Sequence, residues 1–331
     1  VPRLRTADPA ELVALARAGD RVALARLLSL VEQGGDAARA IGRLVHPLGG
    51  TATTVGITGS PGAGKSTLTN ALIGRIRADG LEVAVLAIDP SSPFTGGAIL
   101  GDRVRMGDHA LDDGVFIRSM ATRGHLGGLS LAAPEAVRVL DAVGRPWVLL
   151  ETVGVGQVEV EVAGEADTTV VVLNPGWGDA VQANKAGLME IADVFVINKA
   201  DRPGVADTRR DLEQMLELSP ASGWRPPIVE TVGTTGEGVD ELWAVLRAHR
   251  SWLADHGELE RRRAARLTEE LHRILAARLA ERARSLGAGS AFEAARAAVL
   301  ARELDPWSAV DRLLAEAGQP VGGSPGAPAE A

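Results

Sequence analysis

The 331-residue chain contains no cysteine, which excludes disulfides, thiolate nucleophiles and cysteine metal sites together. It has no apolar run near the roughly 18 uncharged residues that a bilayer-crossing helix needs. Its opening residues, VPRLRTADPA, lack the apolar stretch of a secretory signal, so the expectation is a cytoplasmic protein with no membrane partner. Basic charge is in deficit: 35 Lys and Arg stand against 43 Asp and Glu, a formal net charge of -8, which argues against a nucleic-acid partner. Lysine is scarcest, with Lys65, Lys185 and Lys199 alone among arginines. Such a chain directs attention to places where a compact ammonium or a long aliphatic stem cannot be replaced by a planar fork. The remaining composition, 46% hydrophobic and 24% charged, is that of a folded protein with one large domain and an appendage, or two smaller domains.

Apolar periodicity divides the chain. Residues 1–50 read as a helical extension, with Asp8 and Pro9 as a cap and first-turn proline before LVALARAGD and RVALARLLSLVEQ. Between residues 51 and 250, short runs rich in Val, Ile and Leu follow: Thr53 to Thr58, Glu82 to Asp89, Trp147 to Glu151, Thr168 to Asn174, Val194 to Asn198 and Ile228 to Thr231. Their near-continuous apolarity is that of strands buried on both faces. Helical patterns at Ser66 to Arg77, Ala132 to Ala142 and Asp207 to Leu218 separate most of them, which predicts an α/β fold with a doubly wound, mostly parallel sheet. A site should then lie at the carboxyl ends of the strands. Residues 251–317 read as a helical arm, its stripe formed by Leu267, Leu271, Ile274, Leu275 and Leu279. That stripe needs a cover, either the same chain or a second copy. Arg261 to Arg263 read as a solvated helix face or an anion site. Residues 318–331, rich in Gly, Pro and Ala, read as a disordered tail.

The strongest motif is GSPGAGKS, followed by Thr67. Gly59, Ser60, Pro61, Gly62, Ala63, Gly64, Lys65 and Ser66 match G-x-x-x-x-G-K-[ST] between a predicted strand and a predicted helix. Such a loop converges backbone N–H groups and a helix start on phosphate oxygens. Lys65 adds a point charge, and the Ser66 hydroxyl can reach Mg2+. The metal also needs a carboxylate at a neighbouring strand end. Asp89 and Glu151 both end apolar runs. Glu151 opens ETVG, which looks like the D-x-x-G of GTPases, with Gly154 offering its N–H to the terminal phosphate. Asp102, in ILGDRVRM, reads as a further metal neighbour or as a helix cap.

Asn198, Lys199, Ala200 and Asp201 form NKAD after a strand, matching the guanine-reading N-K-x-D. The Asp201 carboxylate can accept from guanine N1–H and the exocyclic amine, whereas adenine presents an acceptor at N1 and would leave that carboxylate unpaired. Lys199 would lay its stem on the base, Asn198 would tie the loop to the phosphate loop, and Val232 or Gly233 would offer a backbone N–H to guanine O6. Ras-like enzymes place Gln directly after D-x-x-G to orient water. Here Val155 stands there, which predicts slow hydrolysis alone and a need for another group. Lys185, in GWGDAVQANKAG, is a candidate for that group, or pairs with Asp179 as a surface ion pair.

GITGSPGAGKST, AIDPSSPFTGGAILGDRVRM, ETVGVGQVEVEVAGEADT, GDAVQANKAG and VINKAD together closely resemble the MeaB/ArgK family of P-loop GTPases, which includes the methylmalonic aciduria type A protein. The resemblance implies a homodimer formed through the C-terminal arm. It implies a chaperone of adenosylcobalamin-dependent acyl-CoA mutases, chiefly methylmalonyl-CoA mutase, that gates cofactor loading and protects or reactivates the mutase. Lys65 becomes the phosphate lysine, Ser66, Asp89, Asp102 and Glu151 the magnesium neighbourhood, and Asp201 the guanine reader. The segment with Asp179 and Lys185 resembles the family's third switch. LNPGWGDAVQANKAG and SMATRGHLGG, the latter with Arg123 and His125, depart from the usual forms and leave the mutase open, including an isobutyryl-CoA or related branched acyl-CoA mutase. Two other readings stand beside it: a metallochaperone GTPase, which usually displays Cys or clustered His, and an ATP-using kinase of amino-acid transport components.

Overall fold

The computed structural model describes residues 8–89, 107–109, 111–121, 132–152, 164–176, 191–218 and 223–318. Three helices, α1 (Pro9–Arg17), α2 (Arg21–Gln33) and α3 (Gly35–Val45), precede the sheet. The cap read at the start is present: the Asp8 side chain accepts the Ala10 N–H, with Pro9 in the first turn. Strands β1 (Thr53–Gly59), β2 (Val83–Asp89), β3 (Val115–Ala121), β4 (Trp147–Thr152), β5 (Thr168–Leu173), β6 (Val194–Asn198) and β7 (Ile228–Thr231) form one sheet in the order β3-β2-β4-β1-β5-β6-β7. Every pairing is parallel. The order reverses about β1, where a doubly wound sheet opens its crevice. Six of the strands match the apolar runs. The edge strand β3 does not, because Arg118 and Ser119 interrupt its apolar pattern. Arg118 faces the N-terminal helices, where it donates to Glu32 at 2.9 Å.

Alternation along each strand feeds two layers. Ala84, Leu86, Ile88, Val148 and Leu150 pack with Leu24, Leu27 and Leu28 of α2 and with Val139 and Leu140 of α5 (Ala132–Ala142). Val83, Val85, Val55, Ile57, Val170 and Val196 point the other way. They meet Leu68, Leu72 and Ile76 of α4 (Lys65–Ala78) and Leu242, Trp243 and Leu246 of α7 (Val239–Asp255). Helix α6 (Val205–Leu218) covers Val171, Leu173, Phe195 and Ile197 through Leu212. The N-terminal helices are thus one wall of the main core.

At the amino-terminal edge of the sheet, a carboxylate stands directly before each of two strands. Asp193, before β6, accepts the Thr169 N–H at 2.8 Å and two bonds from Arg262. Asp167, before β5, accepts the Thr54 N–H at 3.1 Å and an Arg263 bond at 2.7 Å. Burial alone would push the Asp167 carboxyl up, but the Arg263 bond and the charges of Arg266 and Arg263 hold it below the usual range. Arg263 also donates to the Gly50 and Ala52 carbonyls at 2.6 and 2.7 Å. The arginine run in α8 (Glu258–Leu286) is therefore neither an anion site nor a wholly solvated face. Arg262 and Arg263 are spent on buried carboxylates, and Arg261 pairs with exposed geometry to Glu258. Beside this cluster His249 is fully buried, its Nδ1 2.9 Å from Thr168 Oγ1 and its Nε2 3.4 Å from Asp193 Oδ1. Burial pulls its pKa down to about 4, so the ring is neutral at pH 7.

The chain divides into two compact units, residues 1–266 and 267–331. In the second, α9 (Ser290–Leu300) packs with α10 (Pro306–Gly318). Leu271, Leu275 and Leu279 of α8 are exposed, as are Trp307, Val310 and Leu314 of α10. Among the described residues, no helix is long and apolar enough to cross a membrane.

Candidate nucleotide site

The loop between β1 and α4 takes its shape from glycine. Gly59 has φ +130°, and a methyl there would lie 2.0 Å from the Val172 carbonyl oxygen of β5. Gly62 and Gly64 have φ of +73° and +90°, a region that costs L side chains strain. Gly64 is the N-cap of α4 and supplies no side-chain cap, so the first-turn N–H groups have no side-chain acceptor from it. Those donors and the positive helix end suit a phosphate. Pro61 and Thr67 are exposed, Ser60 is half-buried and Ala63 is buried. Lys65 is buried, with its Nζ donating to the Gly59 carbonyl at 2.6 Å and the Ser60 carbonyl at 3.2 Å. Its ammonium is thus held within the loop by the backbone it must serve.

Parallel pairing of β1 with β4 sets Ile57 opposite Glu151. The Glu151 carboxylate is 1% exposed and accepts the Ser66 hydroxyl through Oε1. A hydroxyl and a carboxylate brought together at a helix start are hard oxygen donors, which fit Mg2+ better than a softer metal. Mg2+ held there would offset the negative charge of the nucleotide phosphates. Asp89 ends β2, next to β4 in the sheet. The Asp89 side chain lies outside the described residues, as do Asp102, Gly154, Val155, Asp179, Lys185, Arg123 and His125.

At the end of β6, Asn198 is buried and fully engaged. Its Nδ2 donates to the Ala63 carbonyl at 2.8 Å and the Gly64 carbonyl at 3.4 Å, while Oδ1 accepts from Gly233 N–H and Thr231 Oγ1, each at 3.1 Å. Asn198 thus ties the phosphate loop to NKAD and to the end of β7. Lys199 adopts φ +61°, and its Nζ donates to the Gly62 carbonyl at 2.6 Å. This fixes the stem that the sequence assigns to the base. Asp201 is exposed beside it. The two amides read as guanine O6 donors are otherwise engaged: Val232 N–H donates to the Glu237 carbonyl at 3.0 Å, and Gly233 N–H to Asn198. Thr231 escaped the sequence reading. Its signal was a lone hydroxyl closing the apolar run before Val232.

A phosphate loop after the central strand of a parallel sheet, tied by its backbone to N-K-x-D at a strand end two places away, defines a P-loop GTPase. The chain belongs to the family described as methylmalonyl Co-A mutase-associated GTPase MeaB, which residues 24–288 match. A Pyrococcus horikoshii protein named as a GTPase is 51% identical over 92% of this chain and 96% of its own length. The Escherichia coli GTPase ArgK is 38% identical over 82% of this chain and 84% of its own. Among solved structures, a LAO/AO transport system kinase aligns with a TM-score of 0.69 at 29% identity, covering 95% of this chain and 99% of that one.

Proposed function

We propose that this GTPase is a cytoplasmic chaperone of an adenosylcobalamin-dependent acyl-CoA mutase, with methylmalonyl-CoA mutase as the first partner to test. The match to a mutase-associated GTPase family across both the sheet and the start of the arm carries this reading. Lys65 and the loop from Gly59 to Thr67 hold the phosphates, with Gly154 at the terminal one. Ser66, Asp89, Asp102 and Glu151 hold Mg2+. Asn198 and Lys199 shape the guanine pocket, Asp201 reads the base, and the segment 231–233 closes it. Val155 in place of a water-orienting Gln makes turnover slow in isolation. The partner accelerates it, and Lys185 couples the two. The exposed stripe of Leu271, Leu275 and Leu279 supports a homodimer formed through the arm.

A metallochaperone role is less well supported: the sequence has no cysteine, and the described residues contain no cluster of three or more His, Asp or Glu suited to a metal. An ATP-dependent kinase role conflicts with N-K-x-D. The test is GTP turnover by the purified protein with and without an adenosylcobalamin-dependent acyl-CoA mutase. Acceleration by one such mutase is expected. Unchanged turnover with every such mutase would remove the partner assignment and leave the GTPase standing.

A further inference from the structure

We infer that residues 49–52, the connector from the N-terminal helices to β1, form a conformational latch that couples those helices to the root of α8. The connector is gripped from two sides. Asp141 of α5 accepts the N–H groups of Gly50, of Thr51 at 3.2 Å and of Ala52 at 2.9 Å, and the Thr51 hydroxyl at 3.1 Å. Arg263 of α8 takes the Gly50 and Ala52 carbonyls instead, while its Nε and Nη2 reach the two oxygens of buried Asp167 at 3.1 and 2.7 Å. Asp141 and Arg263 bind different atoms of one short backbone segment, so the connector itself links them.

The local sequence is fitted to this grip. Successive N–H groups converge on one anion where the backbone passes through the left-handed region, and Gly50 has φ +106°. Gly49 has an ordinary φ of -100°, but a methyl there would lie 2.8 Å from Asp141 Oδ2, so glycine leaves the carboxylate its seat. Asp141 stands one residue before the end of α5, where the helix dipole disfavours a negative charge. Its bonds to the connector offset that cost. Arg263 must be a planar fork, because one compact ammonium cannot serve two carbonyls and both oxygens of a carboxylate in this arrangement. Helix α5 shares a core with α2 and α3. Displacement at the root of α8 is therefore passed through the connector to the N-terminal helices.

Coupling of this kind is reciprocal, so hydrogen–deuterium exchange of the full chain, with a melting temperature for each variant, tests it in both directions. Arg263→Gln is expected to raise exchange at the Thr51 and Ala52 amides about tenfold, although Arg263 binds only carbonyls of the connector. Asp141→Ala should raise exchange across residues 261–266 of α8 about tenfold, although its own hydrogen bonds end on the connector. Gly49→Ala should act in the same direction more weakly, with every charge kept. Arg263→Lys should resemble Arg263→Gln, because the charge stays and the fork is lost. Arg77→Gln breaks a 2.9 Å bond to Asp112 and serves as the reference: a lowered melting temperature with both segments unchanged. Parent-level exchange at 261–266 in Asp141→Ala and Gly49→Ala would overturn the inference, as would full protection in Arg263→Lys or equal loosening in Arg77→Gln. If the Arg263 variants do not fold, Asp141→Ala and Gly49→Ala carry the test alone.

Discussion

Arg262 meets Asp193 as a planar fork, its Nη1 and Nη2 each 3.0 Å from a different carboxylate oxygen. The aspartate precedes β6 and the arginine lies in the first turns of α8, so the contact joins the sheet to the root of the arm. A single truncation leaves a desolvated charge behind. Arg262→Ala is expected to destabilise by about 3 kcal/mol in urea unfolding. A double-mutant cycle with Asp193→Asn should show strong non-additivity, and additive losses would mean that the two side chains do not act together.

His249 gives stability a defined pH dependence. Its folded pKa is about 4, against 6.5 for the ordinary group, chiefly through burial and against the pull of Asp193. Between those values the unfolded chain binds a proton that the native ring refuses, so stability falls as pH falls through this window. The contribution lost between pH 7 and pH 5 is about 2 kcal/mol. His249→Gln should flatten the profile by one proton over this range, measured as urea midpoints, and a parallel profile would place the titration elsewhere.

Lys65 is the buried cation of the phosphate loop. Lys65→Ala is expected to weaken binding of GDP and GTP about 10- to 100-fold by calorimetry, the scale of a lost charge-assisted bond. Retained affinity would displace the loop from the role proposed for it.

Asp201 carries the base selectivity. Asp201→Asn replaces an acceptor with a donor at the guanine edge, so xanthosine nucleotides should gain on guanosine nucleotides in a competition assay. Unchanged selectivity would remove NKAD as the reader.

Much of this was legible because it is local. Gly59 to Ser66 is contiguous, and its glycines and lysine announce a turn that wraps an anion. The buried strands declared themselves by continuous apolarity. What stayed hidden depends on partners distant in sequence. Nothing near Arg118 says that Glu32 of an N-terminal helix will accept its charge, and β3 carries no continuous apolar run to mark it as a strand. Arg262 and Arg263 looked solvated because their carboxylates, Asp193 and Asp167, lie 69 and 96 residues away. Thr231 is 33 residues from Asn198, and only the register of β6 on β7 makes them neighbours.

Gly59 opens the phosphate-loop pattern, yet the atom nearest to a methyl there is the Val172 carbonyl oxygen, a backbone atom of β5. The first letter of the signature is therefore written by the sheet as much as by the nucleotide. Any side chain at 59 would have to push apart two central strands before a phosphate arrived. Tolerance at this position should track folding yield, so a chain that had lost its nucleotide activity could still conserve this glycine.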